Sequence, residues 1–169
     1  GGGLHTLLGA STMGLLPLVA DRVALPIVAA GGICDARSAA AAVVLGAEGV
    51  QMGTRMLASA EAGVHGNFKK AIVDADDSGT VLLDIPGNPT MRVLRTGLAQ
   101  RVAANDANAT LLGRITELYF GGDLDASVAN TGQVSSRIVD LPPVADIVRE
   151  TWGGVEAALA SAGSRGGYS

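Results

Sequence analysis

"IVAAGGICDARSAAAAVVLGAEGVQMGTRM", residues 27–56, spells one pattern twice. Ile27-Val28-Ala29-Ala30 is a short apolar run ended by Gly31-Gly32, and Gly49 to Met52 is a second run ended by Gly53-Thr54. Short apolar runs bounded by glycine fit strands buried on both faces. Between them, Asp35 is placed to cap a helix running from Arg37 to Leu45, with Gly46 as its stop.

The same alternation extends outward. Ser11 and Thr12 precede Leu15, Leu16, Val19 and Val23 at helical spacing, with Pro17 near the start of that helix. Ser59 to about Ala75 predicts a further helix with Val64, Phe68, Ile72 and Val73 on one side. Helix, strand, helix, strand, helix with short connections means parallel strands joined by right-handed crossovers. An open doubly wound sheet and a (β/α)8 barrel both satisfy that order.

Composition agrees. Hydrophobic residues are 48% of the chain but aromatics only 3%, so the core is built from Ala, Val, Leu and Ile, the usual filling of a helix-covered parallel sheet. A net charge of −4 without a Lys/Arg run argues against nucleic acid or an anionic membrane as partner and favours a small molecule. One cysteine, Cys34, excludes an internal disulfide, and no apolar run is long enough to span a bilayer. Cytoplasm is the default expectation. Gly1-Gly2-Gly3 in place of an initiating Met reads like a chain entered within a loop, so a fragment of a longer protein is expected.

After Asp74-Ala75-Asp76-Asp77-Ser78-Gly79 the pattern changes. Thr80 to Leu83 and Met91 to Leu94 read as two strands flanking a Pro86-Gly87-Asn88-Pro89 turn. From about Asn108 to Ile138 the pattern is helical and more polar, broken at Gly121-Gly122, with Asp123 as a cap. Pro142-Pro143 starts a last helix carrying Val144, Ile147, Val148, Trp152, Val155 and Leu159 at three- and four-residue steps.

In a parallel α/β sheet, ligands bind at the carboxyl ends of the strands, where both glycine pairs lie. Glycine lets backbone N–H groups approach an anion closely, and a following helix offers N–H groups with no internal partner. A phosphate held by the amides of Gly31, Gly32, Ile33, Gly53 and Thr54, with the Thr54 hydroxyl donating too, fits this chemistry without a lysine. A lone glycine pair would be a turn and nothing more. Gln51, at the end of the second strand, is either a polar residue in a barrel layer or an amide partner for a bound ring.

This stretch, read from Pro26, resembles the signature of the nitronate monooxygenase family, formerly 2-nitropropane dioxygenases. These are FMN-dependent TIM barrels related to flavin-containing enoyl-acyl-carrier-protein reductases. Ala36 stands where the family commonly has glycine. "GNPTMRVLRT" and "GDLDASVANTGQV" are similar to two further family segments, with Gly132 and Gln133 matching a Gly-Gln pair. The resemblance implies an α/β fold: the C-terminal portion of a (β/α)8 TIM barrel, its last two βα units, plus a smaller α+β cap. Residues 1–77 would be the closing βα units, 78–139 the cap, 140–163 a helix packing back on the barrel, and 164–169 a frayed tail. Gly31, Gly32, Gln51, Gly53 and Thr54 would hold FMN.

His5 is the catalytic candidate. It stands where the preceding strand of the alternation would end, and in the family a Gly-Gly-His places an imidazole beside the flavin, as base or hydrogen-bond donor to substrate. Here Leu4 separates the glycines from His5. His65 reads as a mid-helix surface or packing residue, Cys34 as packing, and Asp74, Asp76 and Asp77 as a solvated turn. No His/Cys/Asp set has metal-ligand spacing.

Three functions follow from this reading. The first is oxidation of alkyl nitronates by FMN and O2. The second is reduction of an enoyl thioester by NAD(P)H at the same flavin site, and the third is a non-catalytic phosphate-binding fragment. A homo-oligomer is compatible with each. If residues 1–169 were the entire polypeptide, weak or absent flavin binding is expected, because the missing N-terminal barrel strands normally surround the ring.

Overall fold

The computed structural model describes residues 10–165. His5, the expected catalytic residue, and the residues 166–169 of the expected tail lie outside that range.

The doubled sentence of residues 27–56 folds as a parallel βαβ unit. Strands β1 (Val28–Ala30) and β2 (Gly49–Gln51) pair in parallel, with Val28 opposite Gly49, Ala29 opposite Val50 and Ala30 opposite Gln51. Helix α1 (Thr12–Ala20) precedes β1, and α2 (Ala36–Val44) crosses from β1 to β2. Alanine dictates how closely α2 sits: Ala39, Ala40 and Ala42 are buried with Leu16, Ala29, Ile33 and Ala47 in one apolar cluster. Small side chains let a helix approach a sheet closely, and the resulting close packing supplies what large side chains would otherwise bury.

The first helix is fastened at its N-terminal end. The Ser11 side chain caps it by accepting from the Gly14 N–H, and the Thr12 hydroxyl donates to the Ala30 carbonyl at 3.2 Å. Pro17 lies inside this helix rather than near its start, and Val23 falls beyond its end. The expected burial of β1 on both faces is also corrected. Ala29 is buried, but Val28 is 63% exposed, because α1 and α2 cover one side of the two-stranded sheet and none of the described residues covers Val28 on the other.

The expected helix from Ser59 to Ala75 is shorter and interrupted. A single turn, α3 (Thr54–Leu57), follows β2, and α4 spans Gly66–Val73. His65 is therefore the N-cap of α4, not a mid-helix residue; its Nδ1 accepts from the Asn67 N–H at 3.1 Å. The apolar positions were well placed nonetheless, since Phe68 and Ile72 are fully buried in a second cluster with Cys34, Leu118, Val134 and Ile138.

Strands β3 (Thr80–Leu83) and β4 (Met91–Leu94) form the expected antiparallel hairpin, with Thr80 opposite Leu94. The helical reading of Asn108 to Ile138 is not met. Helix α5 (Gly97–Ala103) precedes that region, and within it only a π-helical turn (Glu117–Gly121) and a 3-10 turn (Gln133–Arg137) form. Asp123 caps no helix; its side chain accepts from the Asp125 N–H in a loop turn. Helix α6 (Val144–Gly153) begins after Pro143 and stops at Gly154, so the expected last helix is two helices, α6 and α7 (Val155–Arg165). Both pack against α2, and Val155 joins the cluster around Ala29.

Candidate functional site

Because β1 and β2 are parallel and Ala30 pairs with Gln51, the chain leaves both strands on the same edge of the sheet. The Gly31-Gly32 loop and the Met52-Gly53 loop therefore start side by side. Gly31 and Gly32 have φ of 93° and 81°, a conformation that a side-chain-bearing residue adopts only with strain. Among the described residues, the amides of Gly32, Ile33, Gly53 and Thr54 donate no backbone hydrogen bond outside the helices and strands, while the parallel register sets the Gly31 N–H against the Gln51 carbonyl as the last rung of the ladder. Buried or half-buried N–H groups are ordinarily paired, so the unpartnered amides of half-buried Gly32 and buried Ile33 and Thr54, with exposed Gly53 beside Thr54, make this sheet edge a place for an acceptor.

The helix ends near these loops are differently employed. At α2, Asp35 and Ser38 form a reciprocal capping box: Asp35 Oδ1 accepts from the Ser38 N–H at 2.8 Å, and Ser38 Oγ accepts from the Asp35 and Cys34 N–H groups at 3.1 and 3.0 Å. The α2 N-terminus is thus already capped by a carboxylate, which occupies the Ser38 N–H and sets a negative charge against an anion there. Burial opposes the charge on Asp35, but the Ser38 hydrogen bonds and the Arg137 guanidinium outweigh it and hold its pKa below the ordinary value.

A cavity of about 290 Å³ opens against the first loop, lined by Gly31, Gly32, Ile33, Ser11, Thr12 and, from the distant 3-10 turn, Gln133. Gln51, Gly53 and Thr54 lie outside its lining. Gln51 is exposed at the end of β2, while Thr54 is buried and turned toward the 3-10 turn, where its Oγ1 accepts from the Gly132 N–H at 2.7 Å. That hydroxyl keeps its own proton for a further acceptor. Thr54 therefore joins the two glycine loops through the Gly132-Gln133 pair rather than by direct contact with the cavity.

Two arginines that the sequence reading did not single out, Arg137 and Arg55, hold this arrangement. Arg137 pairs with Asp35 across 102 positions of sequence. Arg55, buried, pairs with Asp140 at 2.9 Å and also donates to the Asp140 carbonyl at 2.7 Å, tying α3 to the segment that leads into α6. Neither pairing has a local signal, since ion pairs of large separation exist only once the chain is folded. Cys34 is buried in the central cluster, and burial foremost, then the Asp35 charge, raises its pKa. Packing is its role here, as its isolation in sequence implies. Among the described residues, no group of His, Cys, Asp and Glu side chains could hold a metal ion, and no helix is long and apolar enough to cross a membrane.

The family model of nitronate monooxygenase matches residues 1–152. The chain belongs to the nitronate monooxygenase family. A probable nitronate monooxygenase of Staphylococcus haemolyticus is 34% identical over 97 residues, which are 57% of this chain and 27% of that protein. One from Staphylococcus saprophyticus is 48% identical over 79 residues, 46% of this chain and 22% of that protein. Among solved structures, FabK from Thermotoga maritima is similar with a TM-score of 0.88 and 33% identity, covering 97% of this chain and 54% of FabK. Nitroalkane oxidase from Streptomyces ansochromogenes is similar with a TM-score of 0.71 and 25% identity, covering 90% of this chain and 46% of that enzyme. The chain thus spans about half the length of these two solved family relatives.

Proposed function

We propose that the chain is the closing part of a (β/α)8 barrel, its last two βα units, and that its glycine loops hold the phosphate of FMN in an oxidoreductase of the nitronate monooxygenase type. The observation that carries this reading is the set of amides at Gly32, Ile33, Gly53 and Thr54 that have no backbone acceptor among the described residues, at the carboxyl ends of two paired parallel strands. The residues fit the group: backbone donors meet a phosphate without a cation, and the glycines leave room for close approach. Arg137 neutralises Asp35, the acidic side chain nearest the first loop in sequence, so the carboxylate does not oppose an anion with its full charge.

When bound, FMN would supply the redox chemistry for oxidation of a nitronate by O2 to a carbonyl compound and nitrite. The chain supplies the rest. Gly31, Gly32 and Ile33 would hold the phosphate end, Gly53 and the Thr54 amide and hydroxyl would add donors from the second loop, and Gln51, exposed at the end of β2, would serve as an amide partner for the ring. His5 is assigned the base or hydrogen-bond donor at the substrate, where an imidazole titrating near neutrality suits either task.

The likeness to FabK over 97% of the chain favours a second reading, an enoyl-thioester reductase using NAD(P)H at the same flavin site. Anaerobic mixing of the flavin-loaded protein with NADH separates the two. Inertness to NADH together with fast aerobic turnover of propionate 3-nitronate is the expected result. Rapid bleaching of the flavin by NADH, with no nitronate turnover, would assign the reductase instead.

A further inference from the structure

The cavity at the first glycine loop has few polar side chains, and most are committed elsewhere. Ser11 caps α1 by accepting from the Gly14 N–H, and the Thr12 hydroxyl donates to the Ala30 carbonyl. Ser38 is engaged with Asp35, donating to the carboxylate and accepting from two backbone amides. Gln133 differs from all three. It is exposed, it lines the cavity, and its carboxamide nitrogen lies 3.7 Å from where a Cβ on Gly32 would sit.

Its position is also fixed from both ends of the 3-10 turn that carries it. Before it, the Gly132 N–H is held by the buried Thr54 hydroxyl at 2.7 Å, and after it Arg137 is paired with Asp35. Both anchors reach into the glycine-loop region, one into each loop, so the turn delivers Gln133 over Gly32 rather than leaving it on a free tether. A side chain already positioned loses less conformational freedom when it binds. A neutral amide nitrogen has two N–H donors, and among the described residues the cavity lining has no cationic side chain.

We propose that Gln133 is a phosphate-contacting residue of the flavin site, its Nε2 donating to an FMN phosphate oxygen held at Gly31 and Gly32. This rests on the FMN reading above. The phosphate site would then be built jointly from the βαβ unit and from a turn more than 70 residues downstream of the second loop, since Gly132 and Thr54 stand 78 positions apart.

FMN differs from riboflavin by the phosphate alone, so the pair isolates the contact. In the complete gene product, FMN and riboflavin dissociation constants are measured by fluorescence quenching for the wild type, Gln133→Ala and Gln133→Glu. Gln133→Ala is expected to weaken FMN about tenfold or more, the scale of a hydrogen bond to a charged group. Gln133→Glu is expected to weaken it further by setting a carboxylate against the phosphate, and riboflavin binding is expected to stay unchanged in both. Retained riboflavin binding also shows that each variant is folded. An unchanged FMN constant in both variants, or equal losses for FMN and riboflavin, overturns the Gln133 contact while leaving the FMN reading standing. A wild type that binds FMN no better than riboflavin overturns the phosphate reading itself, and the Gln133 contact with it.

Discussion

Gly122 and His65 illustrate how much single residues decide here. Gly122 has φ of +78°, and a Cβ on it would lie 2.2 Å from His65 Nδ1. The imidazole occupies that space in order to cap α4, while the Asn67 side chain donates to the Gly122 carbonyl at 3.0 Å. Gly122→Ala therefore combines backbone strain with a clash and is expected to cost about 2–4 kcal/mol, measured as a fall in urea-unfolding free energy. A loss below about 0.5 kcal/mol would contradict this geometry. Asp35 makes a different prediction. Its folded pKa is depressed by the Ser38 hydrogen bonds and Arg137 against the opposing effect of burial. A depressed carboxyl contributes stability that is fully present above its unfolded value of about 3.9 and is lost as pH falls through the folded value. Urea midpoints measured from about pH 5 down to about pH 2 should therefore fall more steeply for the wild type than for Asp35→Asn, which has no carboxylate to protonate. Parallel curves would show that Asp35 gains nothing from its partners on folding.

At the scale of elements, legibility followed whether the determining contact was local. The β1–α2–β2 unit was readable because its signals are short-range: Gly31-Gly32 ends a strand, the Asp35 and Ser38 capping box starts a helix, and Gly46 follows its end. The β3–β4 hairpin was readable for the same reason, with the Pro86-Gly87-Asn88-Pro89 turn between its strands. The region from Asn108 to Ile138 misled because apolar residues recurring at helical steps here face a core reached by loops. Leu118, Ala126, Ala129, Val134 and Ile138 are all buried in one cluster although few lie in regular helix. Gly154 split the last helix where the apolar stripe alone reads as continuous. At the site, the glycines were legible, whereas the pairings Thr54–Gly132, Arg137–Asp35 and Arg55–Asp140 were not, because each joins residues 78 to 102 positions apart. The Thr54–Gly132 bond is testable as an element-level fastening. Thr54→Val leaves the buried Gly132 N–H without an acceptor, at a cost of about 1–3 kcal/mol. Hydrogen exchange of residues 132–137 should accelerate in that variant while α2 is unaffected. Unchanged exchange would mean that the 3-10 turn is held by its other contacts alone.

At the scale of the molecule, three apolar clusters divide the work: one under α1 and α2 beside the parallel strands, one central, and one between the hairpin and α5. The central cluster includes Cys34 from the first glycine loop and Val134 from the 3-10 turn, so the packing that stabilises the chain also sets the distance between the two halves of the candidate site. The parallel sheet itself stays open on the side where Val28 is exposed. That openness accords with a chain spanning about half of the solved proteins it is similar to. The central claim is that the two glycine loops grip one phosphate, and Gly53 is the position at which it is tested most cleanly. Its φ is −91°, which any residue adopts, and nothing lies within 4 Å of where its Cβ would sit. Gly53→Asp thus changes charge without crowding. Titration of the complete gene product with FMN and with riboflavin should show at least about a tenfold preference for FMN in the wild type, and Gly53→Asp should abolish most of that preference with riboflavin affinity unchanged. An FMN preference that survives Gly53→Asp intact would contradict the account.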